Sequence, residues 1–190
     1  MSTPTDTPAG WPVGAEPVFT RQDIDAALDR LAARLTADLA DSHPVALTVL
    51  HGGLVFAGHL LPRLAFRLTT DYVHATRYRG AQRGSELVWI ARPATALAGR
   101  TVLLLDDIYD EGFTLESLVD FCRDMGAARV VSAVLLRKHH HRPTAALQPD
   151  YHALEVDDRY VFGFGMDIHH EWRNANGIYA VPQSGGEAAA

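Results

Sequence analysis

The stretch Thr101-Val102-Leu103-Leu104-Leu105-Asp106-Asp107-Ile108-Tyr109-Asp110-Glu111-Gly112-Phe113-Thr114 decides how this chain is read. Thr101 to Leu105 is an apolar strand without polar alternation, the pattern of a strand buried on both faces of a parallel sheet. A helix is predicted from about Leu115 to Met125, with Gly126 as its stop. Between strand and helix lie Asp106, Asp107, Asp110 and Glu111, then Gly112 and Thr114. A glycine-bearing turn at a helix start points backbone N–H groups at an anion. Crowded carboxylates repel one another unless a cation relieves them, and a hard divalent ion shared with substrate oxygens would do so. An isolated Asp-Asp pair reads as solvated capping carboxylates. Four acids with Gly112 and Thr114 behind an apolar strand read as a phosphate-and-cation site. Neither Gly-x-x-x-x-Gly-Lys nor Gly-x-Gly-x-x-Gly is present, so it is neither a Walker A loop nor a Rossmann fingerprint.

The rest of the chain supplies partners for this strand. Thr20 and Asp23 form an N-cap signal, and Ile24, Leu28, Leu31, Leu35 and Leu39 recur at helical spacing up to about Asp41. Val45–Leu50 is a buried strand that stops at Gly52-Gly53. Leu54–Phe66 reads as a helix with a kink or break at Pro62. Strands are predicted at Asp71–Tyr78, Leu87–Ala91, Val130–Leu136, Tyr151–Val156 and Tyr160–Phe164. Arg79–Glu86 reads as a flexible loop or hairpin tip, and His139–Pro149 as a loop. Strands alternating with helices make an α/β fold, a parallel sheet flanked by helices, with ligands beyond the carboxyl ends of the strands. Residues 1–18 and 183–190 read as a disordered arm and tail around one domain, 19–182.

Composition narrows the function. The 190 residues carry a net charge of −6, with 47% hydrophobic and 21% charged residues. A basic nucleic-acid surface is not expected. Apolar runs are too short for a membrane span, and the N-terminus has no signal-peptide pattern. The single Cys122 excludes an internal disulfide and fits a cytoplasmic setting.

Val102–Thr114 closely resembles the 13-residue phosphoribosyl pyrophosphate (PRPP) signature of type I phosphoribosyltransferases. The resemblance implies that Asp106 and Asp107 face the ribose hydroxyls. Asp110, Glu111, Gly112, Phe113 and Thr114 would cradle the 5′-phosphate, and Asp110 would also be the catalytic acid-base near purine N7. Glu111 departs from the commoner Thr or Ser, so its carboxylate is expected to point away. Leu50-His51-Gly52-Gly53 resembles the pyrophosphate loop of the 6-oxopurine branch, with His51 where many relatives carry Lys, and a non-proline cis peptide is expected at Leu50–His51. Arg77-Tyr78 resembles part of the long mobile loop that closes over PRPP.

Other segments match in family order. Lys138 resembles the lysine that meets purine O6, Tyr160 the aromatic stacked on the purine, and Val161 and Met166 its neighbours. Asp167 resembles a carboxylate near the C2 group and a second metal, and Arg173 an arginine that meets pyrophosphate. The resemblance covers about residues 45–181. It implies a type I phosphoribosyltransferase fold with a small hood formed by the N- and C-terminal segments. The implied activity is purine salvage: hypoxanthine or guanine plus PRPP gives the 5′-monophosphate (IMP or GMP) and pyrophosphate. Mg²⁺ would be held at Asp106, Asp107 and Asp167, and the expected assembly is a homodimer or homotetramer. The alternatives are a non-catalytic PRPP-sensing regulator and a xanthine-preferring transferase. His139-His140-His141 does not favour a metal site, because consecutive side chains alternate in direction.

Overall fold

A computed structural model describes residues 8–77 and 87–182. Its centre is a six-stranded sheet in the order β4-β3-β2-β5-β6-β7. The strands are β2 (Val45–Val49), β3 (Thr69–Arg77), β4 (Leu87–Ala91), β5 (Thr101–Tyr109), β6 (Arg129–His139) and β7 (Tyr151–Asp157). All neighbours pair in parallel except β4, which runs antiparallel to β3. Alternation along β5 splits the core. Leu103 and Leu105 pack with helices α1 (Arg21–Leu39) and α2 (Gly53–Leu60) on one face. Val102 and Leu104 pack with α3 (Phe113–Asp124) on the other. The expected α/β fold is therefore observed.

Helix α1 begins where the N-cap signal lies. Thr20 Oγ1 accepts from Asp23 N–H at 3.2 Å, and Thr20 N–H donates to Asp23 Oδ2 at 2.9 Å. Helix α2 is shorter than predicted. The chain tightens into a 3-10 turn over Leu61–Arg63, as Pro62 demands, and does not resume a helix toward Phe66.

A second, three-stranded sheet forms the hood, in the order β1-β9-β8. It joins β1 (Glu16–Phe19), β8 (Val161–Phe162) and β9 (Ile178–Ala180). This corrects the arm expected over residues 1–18. Glu16 pairs with Ala180, and Trp11 packs edge-on against Phe162, Trp172 and Tyr179 with centroids 5.2, 5.0 and 4.7 Å away. A polar, proline-rich composition hid one large aromatic anchor. The expected disorder of residues 1–7 and 183–190 lies outside the described residues, as do Tyr78 and the loop or hairpin tip expected over Arg79–Glu86.

Candidate active site

The strand β5 runs four residues past Leu105, because its ladder with β6 continues to Tyr109 and Arg137. Asp106 and Asp107 are thus strand residues, not loop residues, and they reach a cleft of about 660 Å³ at the carboxyl end of the sheet. Asp107 N–H donates to Asp106 Oδ1 at 3.0 Å, and Ile108 N–H to Asp107 Oδ1 at 2.9 Å. Burial, then the neighbouring Asp107 charge, pushes Asp106 well above the usual carboxylate range. Burial raises Asp107 too, opposed by its hydrogen bond with Asp106 and by the Arg173 charge. The buried pair is costly to ionise, and a cation is what would relieve it.

Two glycines allow the close approach around this pair. The Leu50–His51 peptide is cis, as expected, and Gly52 follows it as the N-cap of α2. A Cβ at Gly52 would stand 1.9 Å from Asp107 Oδ2. A Cβ at Gly53 would stand 2.8 Å from the Leu105 carbonyl oxygen, so α2 can start directly over β5 only with glycine there.

At the end of β5, Gly112 takes φ +81° and caps α3 with no side-chain hydrogen bond. The first-turn amides of a helix point out from its N-terminus, so those of Phe113 and Thr114 face the place where an anion would sit. Glu111 is exposed, in keeping with a carboxylate turned away, and its carbonyl accepts from Ala145 N–H at 2.7 Å. Tyr109 O–H donates to the Leu147 carbonyl at 3.0 Å and accepts from Gln148 Nε2 at 2.6 Å, so the segment after β6 is tied to this loop.

Lys138 Nζ lies 3.0 Å from Asp110 Oδ2. The sequence predicted both residues but not their contact, which follows from β6 extending to His139 beside β5. Arg142 Nη2 reaches Asp110 Oδ1 at 2.6 Å. Tyr160 is 52% exposed, as a ring waiting for a stacking partner can be. Val161 is buried in β8. Met166 departs from expectation: its side chain joins the core, and its N–H and C=O both bond to Gly163. Asp167 Oδ1 contacts Arg173 Nη2 at 2.5 Å, and its Oδ2 accepts from His170 N–H at 2.9 Å. Arg173 Nη1 also donates to the Gly165 carbonyl at 2.6 Å. Arg77 ends β3.

The cleft brings together Leu50, His51, Gly52, Asp106, Asp107, Asp110 through Thr114, Asp167 and Arg173. Gly53, Lys138, Tyr160, Val161 and Met166 are not among its lining residues. Sequence reasoning missed His74, Thr76 and Ile90, which come from β3 and β4. The His74 and His51 rings meet edge-on at 4.3 Å, and burial, then the neighbouring His51, lowers the His74 pKa. A one-in-two strand pattern gave no signal for His74 until its register beside β2 was known. Among the described residues, no three His, Cys, Asp or Glu side chains converge as a metal cage. Mg²⁺ does not need one, since it commonly binds through one or two carboxylates and completes its shell with water and substrate phosphate. The Asp106–Asp107 pair fits that habit. Asp167 fits less well, because both its oxygens are engaged.

Buried carboxylates, a helix N-terminus and Arg173 share this cleft, a setting suited to a phosphorylated substrate. The family model described as "Phosphoribosyl transferase domain" matches residues 16–170, and the chain belongs to that family of enzymes. Its relatives lie on the hypoxanthine-guanine branch. It is 31% identical over 167 residues to the hypoxanthine-guanine-xanthine phosphoribosyltransferase of Tritrichomonas foetus, covering 88% of this chain and 91% of that one. It is 31% identical over 158 residues to the hypoxanthine-guanine phosphoribosyltransferase of Bacillus subtilis, covering 83% and 87%. Among solved structures, a hypoxanthine phosphoribosyltransferase from Staphylococcus aureus superposes with a TM-score of 0.83 at 26% identity, covering 88% of this chain and 91% of that one.

Proposed function

We propose that this enzyme salvages 6-oxopurines, transferring the phosphoribosyl group of PRPP to hypoxanthine or guanine to give IMP or GMP and pyrophosphate. The observation that carries the reading is the Lys138–Asp110 pair, 3.0 Å apart across the ends of β6 and β5. A cation and a carboxylate at that separation match two neighbouring groups on one edge of a 6-oxopurine. Lys138 donates to O6, where adenine would present a donor instead. Asp110 takes the proton from N7 as N9 bonds to the anomeric carbon. Tyr160 stacks on the ring, and the backbone of Val161 meets the base edge. Asp106 and Asp107 orient the ribose hydroxyls. The amides of Glu111, Gly112, Phe113 and Thr114 hold the 5′-phosphate. Leu50, His51, Gly52, Gly53 and Arg173 form the pyrophosphate side, and Arg77 ends the strand β3 beside the cleft-lining Thr76. Mg²⁺, held by Asp106 and Asp107 with substrate oxygens, would supply charge neutralisation for the departing pyrophosphate. Asp167 joins a second ion only if Arg173 releases it.

The test is direct incubation with PRPP, Mg²⁺ and each of hypoxanthine, guanine, xanthine and adenine, followed by separation of nucleotides. IMP and GMP are the expected products. Nucleotide from no base would overturn the reading, and adenine as best substrate would remove Lys138 from its role. The xanthine arm is included because the T. foetus relative carries xanthine in its name. A cytoplasmic location and a homodimer or homotetramer belong to the same proposal. Sedimentation would measure the assembly. No described helix is long and apolar enough to cross a membrane.

A further inference from the structure

The histidine run after β6 has one member unlike its neighbours. His139 is exposed, with Nε2 3.2 Å from Glu155 Oε2, and His141 is exposed as well. His140 turns inward, with 2% of its side chain exposed. Its Nδ1 accepts a hydrogen bond from the Arg142 backbone N–H at 3.1 Å. That bond needs a lone pair on Nδ1, so the neutral ring carries its proton on Nε2. Nε2 lies 2.9 Å from Asp110 Oδ1. The distance is that of a hydrogen bond but the alignment is not, and among the described residues Nε2 is a buried polar atom left without a partner. Native structures seldom leave such a donor unmatched, and each instance asks for a reason.

The reason lies in who holds Asp110. Lys138 Nζ takes Oδ2 at 3.0 Å, and Arg142 Nη2 takes Oδ1 at 2.6 Å. These partners differ in permanence. Lys138 is 9% exposed, whereas Arg142 is 44% exposed and already has a second acceptor, Asp158 Oδ1, at 3.0 Å. Arg142 is the replaceable partner, and His140 is the buried donor within reach of the oxygen it would vacate. We propose that His140 is a positioning residue for Asp110. As the purine enters, Arg142 leaves Oδ1 and stays on Asp158, and the His140 Nε2–H aligns with the carboxylate and fixes it toward N7. The proton released from N7 goes to Asp110, and His140 neither gains nor loses one. The inference rests on the reading of Asp110 as the N7 acid-base.

Asp110 is faced by Lys138 from β6, His140 and Arg142 from the following loop, and Asp158 from the segment after β7, with exposed Glu111 beside it in sequence. His140→Gln keeps an N–H at the place of Nε2, whereas His140→Asn keeps only an acceptor at the place of Nδ1. The experiment is kcat and KM for both variants and for Asp110→Asn, with PRPP, Mg²⁺ and hypoxanthine, and thermal unfolding to verify folding. His140→Asn is expected to lose about tenfold in kcat, the scale of one charge-assisted hydrogen bond, with an unchanged KM for PRPP. His140→Gln is expected to restore the rate. Wild-type kcat in His140→Asn, or equal losses in both variants, would overturn the proposal. Wild-type activity in Asp110→Asn would instead remove the underlying reading of Asp110. The wild-type protein gives a test free of variants: ¹⁵N-histidine spectra should show a protonated Nε2 and a bare Nδ1 for His140, and the opposite tautomer defeats the inference.

Discussion

Gly52→Ala tests the packing at the centre of the cleft. Gly52 has φ −59° and ψ −46°, which alanine adopts freely, so backbone strain is not at issue. The added Cβ would stand 1.9 Å from Asp107 Oδ2, 2.3 Å from its Cγ and 2.7 Å from its Oδ1. Real Cβ contacts essentially never fall below 3.0 Å, so the carboxylate must retreat by more than 1 Å. That movement breaks the Ile108 N–H bond to Oδ1. Misplacing a positioning group by about 1 Å costs on the order of 10²-fold in rate, about 2.7 kcal/mol of transition-state stabilisation. Overpacking a tight site costs about 1–3 kcal/mol, which lowers Tm by about 2–12 °C in a domain this size. The assays are kcat/KM for PRPP and a thermal melt. Gly58→Ala is the control: it lies exposed in the same helix, and its Cβ meets nothing within 4 Å. Helix propensity alone then predicts a gain of about 1 kcal/mol and unchanged kinetics. A Gly52→Ala protein with wild-type Tm and kcat/KM would refute the close approach of the α2 start to Asp107.

Thr20→Ala removes one half of the capping box of α1 and should lower Tm by about 2–4 °C without altering KM, checked by calorimetry and steady-state kinetics. Burial pushes the Cys122 thiol up to about 11. Iodoacetamide at pH 8 should leave the native protein unmodified and label it fully in guanidinium, read by intact mass; native labelling at full stoichiometry would contradict that burial. The Arg129 hydrogen bond holds Asp38 below the ordinary carboxylate range, against an opposing push from burial. A lowered folded pKa contributes stability above the unfolded value, and it is lost as pH falls through the folded one. Asp38→Asn should therefore melt slightly below wild type at pH 7, with the gap closing as pH falls below the ordinary carboxylate value and through the lowered folded one.

The sheet was legible because each of its buried strands carries its own signal. Val45–Val49 and Val102–Leu105 are apolar without interruption, and the helix signals at Thr20 and Gly126 lie where α1 begins and α3 has just ended. Strand ends were not legible, because β5 continues through two aspartates only by virtue of its ladder to β6. Residues that share the cleft by being near in sequence, Asp110 through Thr114, could be grouped in advance. Those brought together by register could not. Nothing in the sequence sets His74 beside His51, or tells that a Cβ at Gly52 would collide with Asp107. His140 and Arg142 were hidden for a related reason: a histidine run suggested metal chemistry to be weighed and set aside, and only the fold showed one imidazole turned toward Asp110.

The hood sheet has a consequence for how the enzyme is made. Strand β1 finds its partner only when β9 exists, since Glu16 pairs with Ala180. Synthesis runs at about 5–20 residues per second, so the first strand waits several seconds or more beside a growing chain. During that wait the strands carrying Asp106, Asp107 and Lys138 can all be laid down, while the hood that positions Tyr160 has no third strand to close it. A ribosome stalled before Ile178 would hold a chain with most of its sheet and no finished lid. The few residues of β9 therefore close the hood only after the strands that carry Asp106, Asp107 and Lys138 have been made.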